Sequence, residues 1–224
     1  MPIDYTKAPD AQAPTQRGPV SLSKVTLTKS TPSVSLTKQG PATGTLRVNL
    51  NWNARPAEPT GLFRRQTPGI DLDLGCLYEY TDGSKGVVQA LGDSLVDRHT
   101  FGSGPICRLD GDDRSGSNSA GENLFVDLRN PAVVKRILVF AFIYEGTPNW
   151  AAANAVVTLF PVAGPQIEIR LDEADPAAMM CAVALLEGNG TDVSVRREVR
   201  YLRGGQRLLD QTYHWGMQWT SGRK

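Results

Sequence analysis

Apolar residues alternate with polar ones along most of this chain. The motif V-[ST]-L-[ST]-K occurs three times, at Val20 to Lys24, Val25 to Lys29 and Val34 to Lys38, setting Val and Leu against hydroxyl side chains. This is the period of a half-buried β-strand, and β-branched alternation suits a pleated surface. The copies are too short and too few for a solenoid, so they predict two or three adjacent edge strands. Strand-like segments recur at Thr45 to Trp52, Asp71 to Tyr80, Gly86 to Leu91, Leu124 to Leu128, Arg136 to Tyr144, Asn154 to Pro161, Gln166 to Leu171, Met179 to Glu187, Val193 to Leu202 and Tyr213 to Trp219. Turn-forming clusters such as TDGSKG, GSGP, EGNG and RGGQ separate them. Only Thr147 to Ala153 and Glu173 to Ala178 look able to form a short helical turn, and no βαβ rhythm is present. The pattern predicts an all-β fold, an antiparallel β-sandwich with at most short helical turns. The continuous apolar run ILVFAFIY, Ile137 to Tyr144, suits a central core strand rather than one facing water.

Composition sets the scale. With 224 residues, 40% of them hydrophobic, the chain can bury a proper core. Residues 1–19 carry four prolines and almost no apolar periodicity, which predicts a flexible N-terminal tail before a sandwich domain over 20–224. The 24 basic and 23 acidic side chains leave a net charge of +1, so no bulk charge draws the protein onto nucleic acid or an acidic membrane. Any electrostatic function must be local. The three cysteines, Cys76, Cys107 and Cys181, lie far apart with no CxxC pair, as expected of reduced thiols in a cytoplasmic protein. The N-terminal stretch has no apolar h-region, and the longest apolar run is far short of the ~20 residues of a membrane-spanning helix.

The stretch LDGDDRSGSNSAGENLFVDL, residues 109–128, begins like a calcium loop. Asp110 and Asp112 have the spacing of the first EF-hand ligands, but Ser115 stands where that loop needs glycine and Gly121 where it needs its closing acid. It is not an EF-hand. It is still part of an oxygen-only constellation: Asp71 and Asp73 of GIDLDLG would share one strand face, and Asp110, Asp112, Asp113, Asn118, Glu122 and Asn123 supply a loop. Carboxylate and amide oxygens without histidine or thiolate suit a hard cation such as calcium. Asp, Asn, Gly and Ser also build ordinary solvated turns, so composition leaves both readings open.

Other chemistry has thin support. The histidines are His99 and His214, neither in a recognisable nucleophile motif, and there is no Walker A loop or GxGxxG. No thiol pair suggests a reductase. The expectation is a protein that is not an enzyme. The hairpin SVRREVRYLRGGQR gathers Arg196, Arg197, Arg200, Arg203 and Arg207, either as solvated strand faces or as a surface for an anionic partner or phospholipid headgroups. Only Tyr201 interleaves with these arginines, so nucleic acid is not expected. Trp215, Met217 and Trp219 would alternate on one strand face, as core or as a partner surface.

The order LRVNLNWNAR, GIDLDLG, LDGDDRSG, ENLFVDL and RILVFAFIY, with the SLSK and SLTK strands before it, resembles the tellurium-resistance TerD-domain family from about Val20 to Trp219. The closing YHWGMQW is similar to its TerA branch. The resemblance implies a β-sandwich that binds calcium through acidic loops and serves bacterial resistance to tellurite and related stresses. The family's DLD strand falls on Asp71 and Asp73, and its GDN loop on Gly111, Asp112 and Asp113. The family's Trp-Asp-Ala-Arg becomes Trp52, Asn53, Ala54 and Arg55, and its second acidic run is reduced to NSAGEN, leaving Asn118, Glu122 and Asn123. Fewer charges imply weaker calcium binding, a single ion instead of two or none held tightly. The implied partners are other tellurium-resistance or stress-response proteins in the cytoplasm or at the inner face of the membrane. The alternative is a metal-independent scaffold with a degenerate calcium site, docking partners through the arginine hairpin or by strand addition.

Overall fold

The computed structural model describes residues 24–36, 44–53, 70–98, 104–111, 121–146, 148–173 and 175–220. Alternating segments pair into two six-stranded sheets packed face to face. The first runs β1 (Lys24–Thr26), β10 (Gln166–Leu171), β9 (Ala155–Phe160), β3 (Thr45–Asn51), β7 (Glu122–Asp127), β6 (Cys107–Leu109). The second runs β2 (Ser33–Ser35), β12 (Val193–Leu202), β11 (Met180–Gly188), β8 (Val134–Glu145), β4 (Asp71–Tyr80), β5 (Lys85–Gln89). Every pairing is antiparallel except β1 with β10. This is the β-sandwich the alternation predicts. Among the described residues, no helix is long and apolar enough to cross a membrane.

Period-two geometry fills the core. Leu72, Leu74, Cys76, Tyr78 and Tyr80 of β4 meet Val48, Leu50, Leu124 and Val126 of the facing sheet. The run ILVFAFIY is β8, as expected of a central strand, and it is apolar throughout because both its faces are covered. Ile137, Val139, Ala141 and Ile143 point into the sandwich. Leu138, Phe140 and Phe142 point outward, into a second cluster closed by Leu209 and Trp215.

That cover corrects the expected strand at Tyr213 to Trp219. The chain instead forms α2 (Gln206–Tyr213), which ends where His214 adopts the left-handed conformation, φ 53°. Residues 215–220 follow without joining a sheet. In the segment GQRLLDQTYHW, Leu209 and Tyr213 stand one helical turn apart, a spacing the strand reading overlooked. The Asp210 carboxylate then accepts the N–H groups of Gly216 and Met217 and the Trp219 indole, each at 2.9 Å, so the segment's polar groups are met without a neighbouring strand.

Of the two expected helical turns, the first is α1 (Trp150–Ala153), capped by Asn149. Near Glu173 to Ala178 there is only a turn, in which Asp175 accepts Ala177 N–H at 3.0 Å. The repeat motif is also corrected. Its second and third copies supply β1 and β2, which are edge strands of different sheets, not neighbours in one. The chain crosses between the sheets over Leu27–Pro32, with Leu27 and Leu36 buried on either side. The first copy up to Ser23, and with it the expected tail, lies outside the described residues, while its Lys24 opens β1.

Candidate functional site

The candidate acidic site sits where β4 begins. Asp71 and Asp73 occupy alternate positions from Leu72 and Leu74, so they share one face of the strand, as expected. Asp73 is fully buried and Asp71 half-buried. Strand pairing sets Asp71 opposite Glu145 of β8. Like charges directly opposite each other are unfavourable unless screened or bridged. Glu145 carries no local signal in the sequence, because its neighbour is more than seventy positions away.

Glu122 opens β7 on the facing sheet and, at 2% exposure, points inward on the same side as Leu124 and Val126. Its Oε2 accepts the Leu74 N–H at 2.7 Å. That N–H is available because β5 pairs with β4 only from Gly75 to Glu79, and among the described residues no strand accepts from Leu74 on that side. A carboxylate from one sheet thereby closes the edge of the other.

Asp110 follows β6 and is held by β7. Its carboxylate accepts the Asn123 N–H at 3.0 Å and Asn123 Nδ2 at 2.7 Å. Asn123 Oδ1 in turn accepts from Asn49 Nδ2 at 3.0 Å and Arg47 Nη1 at 3.1 Å. Asn123 is thus a buried structural amide. Gly121, with φ 66°, returns the chain into β7 beside Leu50, whose carbonyl oxygen would lie 2.1 Å from any Cβ at this position. Only glycine passes there. Asp112, Asp113 and Asn118 lie outside the described residues.

The donors are all oxygen, which fits a hard cation. Among the described residues, however, no three acidic, histidine or cysteine side chains gather closely enough to hold a metal ion. A site of three or more such ligands at this end would therefore need donors from outside the described residues.

The arginine hairpin does not present one face. Arg196 and Arg200 stand opposite Leu185 and Ala182 on the outer side, while Arg197 stands opposite Ala184 on the inner side. A bulge causes part of this, with Glu198 and Val199 together opposing Val183, and Val199 at φ 41°. Arg196 pairs with Glu198 at 2.9 Å, and Arg203, beyond the strand, pairs with Asp175 at 3.3 Å.

A buried polar network was not legible in the sequence. Asp97, 4% exposed, accepts the Tyr80 hydroxyl and the N–H groups of Ile106 and Cys107 at 2.9 and 2.8 Å. It ties Ile106 and Cys107 to Tyr80 of β4. Burial pushes the Cys76 and Cys181 thiols and the Tyr80 hydroxyl well up, away from reactive anionic forms.

No protein-family model matches the chain. It is 41% identical over 208 residues to Tellurium resistance protein TerA of Alcaligenes sp, covering 92% of this chain and 60% of that one. The chain therefore spans about 60% of the relative's length. Among solved structures, the protein of unknown function SAV2460 matches with a TM-score of 0.54 at 15% identity, over 75% of this chain and 95% of that one. That likeness concerns the fold. A homologue of telluride resistance protein (TerD), SCO6318 from Streptomyces coelicolor A3(2), matches with a TM-score of 0.49 at 18% identity over the same shares.

Proposed function

We propose that this chain, 41% identical over 208 residues to a tellurium-resistance protein TerA, is a TerA-like member of the tellurium-resistance family and acts as a non-catalytic, calcium-responsive module of a stress-response assembly. The observation that supports this reading is the bond from the Leu74 N–H, next in sequence to Asp73, to the Glu122 carboxylate of the facing sheet, which brings acids of β4 and β7 to one end of the sandwich. The ion would draw on Asp71 and Asp73 and on Asp112 and Asp113 from the loop, with Asp110, Asn118 and Glu122 beside them. It would offset the repulsion between Asp71 and Glu145 and fix the loop, which then offers a surface to another protein of the same system. The proposed setting is the cytoplasm, including peripheral contact with the inner face of the membrane.

A second reading, a metal-independent scaffold, is favoured by one observation. Asp110 and Glu122 already accept hydrogen bonds from Asn123 and Leu74, as structural carboxylates do. Calorimetric titration of the chelator-stripped protein with calcium separates the two. Saturable binding with a calcium-dependent melting temperature, both lost in Asp71→Asn/Asp112→Asn, supports the calcium module. Neither heat nor shift at millimolar calcium leaves the scaffold.

A further inference from the structure

A second polar site lies toward the other end of β4. Between β5, residues 91–98 and the C-terminal segment runs an open groove of about 890 Å³. Lys85, Arg98 and Arg207 line it, and no carboxylate does among the described residues. The protein as a whole is nearly neutral, at +1, so three cations in one lining, set against the single buried Asp210 carboxylate behind Met217 and Trp219, leave a local excess of positive charge.

The cations are not neutralised by ion pairs among the described residues. Lys85 Nζ donates to the Trp215 carbonyl at 2.6 Å and Arg207 to the Trp219 carbonyl at 3.1 Å, both uncharged acceptors. Those bonds position the two side chains and leave their charge in place. Elsewhere, basic groups meet acids: Lys24 with Glu168, Lys135 and Arg136 with Glu79, and Arg203 with Asp175. The groove is also braced. Gln206 Nε2 of α2 donates to Gln89 Oε1 of β5 at 3.0 Å, tying its two walls together. The N-terminus of α2 starts in the wall at Gly205 and Gln206, and its dipole adds to the positive potential.

We propose that this groove binds a phosphate-type oxyanion, either free or carried on a small organic molecule, through Lys85, Arg98 and Arg207. Guanidinium and ammonium groups donate several charge-assisted hydrogen bonds to such an anion, and Arg matches its geometry with paired donors. The site does not depend on calcium and is distinct from the acidic end of β4.

The test is calorimetric titration of the full chain at low ionic strength with inorganic phosphate, inorganic pyrophosphate and adenosine monophosphate. Saturable binding that weakens as salt is raised is expected. Arg98→Gln and Arg207→Gln should each weaken it about tenfold or more, the loss of a charge-assisted contact. Arg98 is the cleaner probe, because among the described residues its guanidinium has no hydrogen bond or ion pair, and a thermal melt of Arg98→Gln checks that the fold is kept. Arg200→Gln, outside the groove, should bind as wild type. Adenosine monophosphate binding much more tightly than phosphate identifies a phosphorylated organic ligand, and equal affinity identifies the free anion. No saturable binding of any of the three, or unchanged affinity in both Arg98→Gln and Arg207→Gln, overturns the proposal.

Discussion

Glu122 Oε2 accepts the backbone N–H of Leu74 at 2.7 Å, across the interface between the two sheets. A buried main-chain donor is therefore met by a side chain from the opposite layer, where among the described residues no strand reaches it. Glu122→Ala leaves that donor without a partner and should cost about 1–3 kcal/mol. Glu122→Gln retains an acceptor oxygen and should cost less. Urea unfolding of both variants in chelator measures the difference, and equal losses would contradict this role.

Arg136 joins the helix end to the sheet. Its guanidinium stacks over the Trp215 ring at 3.8 Å, pairs with Glu79 at 2.6 Å, and donates to the Tyr213 and His214 carbonyls at 3.0 and 3.1 Å. Arg136→Ala removes the stacking and leaves buried Glu79 with Lys135 alone. A loss of about 2 kcal/mol or more is expected, with Trp215 fluorescence shifting toward that of a hydrated indole. An unshifted spectrum would show that the segment docks without Arg136.

Two carboxylates predict an acid-sensitive fold. Burial opposes the charged form of Glu79, but hydrogen bonds from Lys135 and Arg136 outweigh it and hold its pKa below the ordinary 4.5. For Glu168 the Lys24 hydrogen bond is the main cause of a shift in the same direction. A pKa lowered by folding adds stability above the unfolded value, and that stability is lost as pH falls through the folded one. Unfolding free energy should therefore drop as pH is taken below about 4.5, and Glu79→Gln should flatten that drop. A variant with the wild-type acid profile would remove Glu79 from the account.

The outer face of the first sheet carries a row of alternating rings and cations. Arg47 pairs in register with Phe160 on one side and Phe125 on the other, and Arg108 pairs with Phe125. The Arg47 guanidinium lies 3.8 Å from the Phe160 ring centre and that of Arg108 4.2 Å from Phe125. Arg47→Ala uncovers a ring and removes a donor to Asn123, costing about 1 kcal/mol. Arg47→Lys should recover only part of it. Thermal melts of the pair decide this.

His214 ends α2 with a left-handed backbone, a conformation costly to residues with a Cβ. The side chain is exposed and the carbonyl that meets Arg136 would remain in glycine. His214→Gly should stabilise the protein by about 0.5–1 kcal/mol. A destabilised variant would show that the imidazole itself matters.

Sequence alone determined the sandwich, because the strand signal is local: β3, β4, β9, β10 and β12 fall on alternating segments, and β8 and β11 on continuous apolar runs bounded by turn residues. It also determined that Asp71 and Asp73 share a face, since two positions on a strand always do. Only the tertiary structure decided who meets whom. Glu145 opposite Asp71, Glu122 on the Leu74 N–H, and the second and third copies of one motif on two different sheets are non-local pairings with no trace in composition or spacing. The segment after Arg203 misled for a related reason. Its Leu, Tyr and Trp residues fit either period, and the choice of helix was made by the uncovered Leu138, Phe140 and Phe142 of β8, which needed a lid.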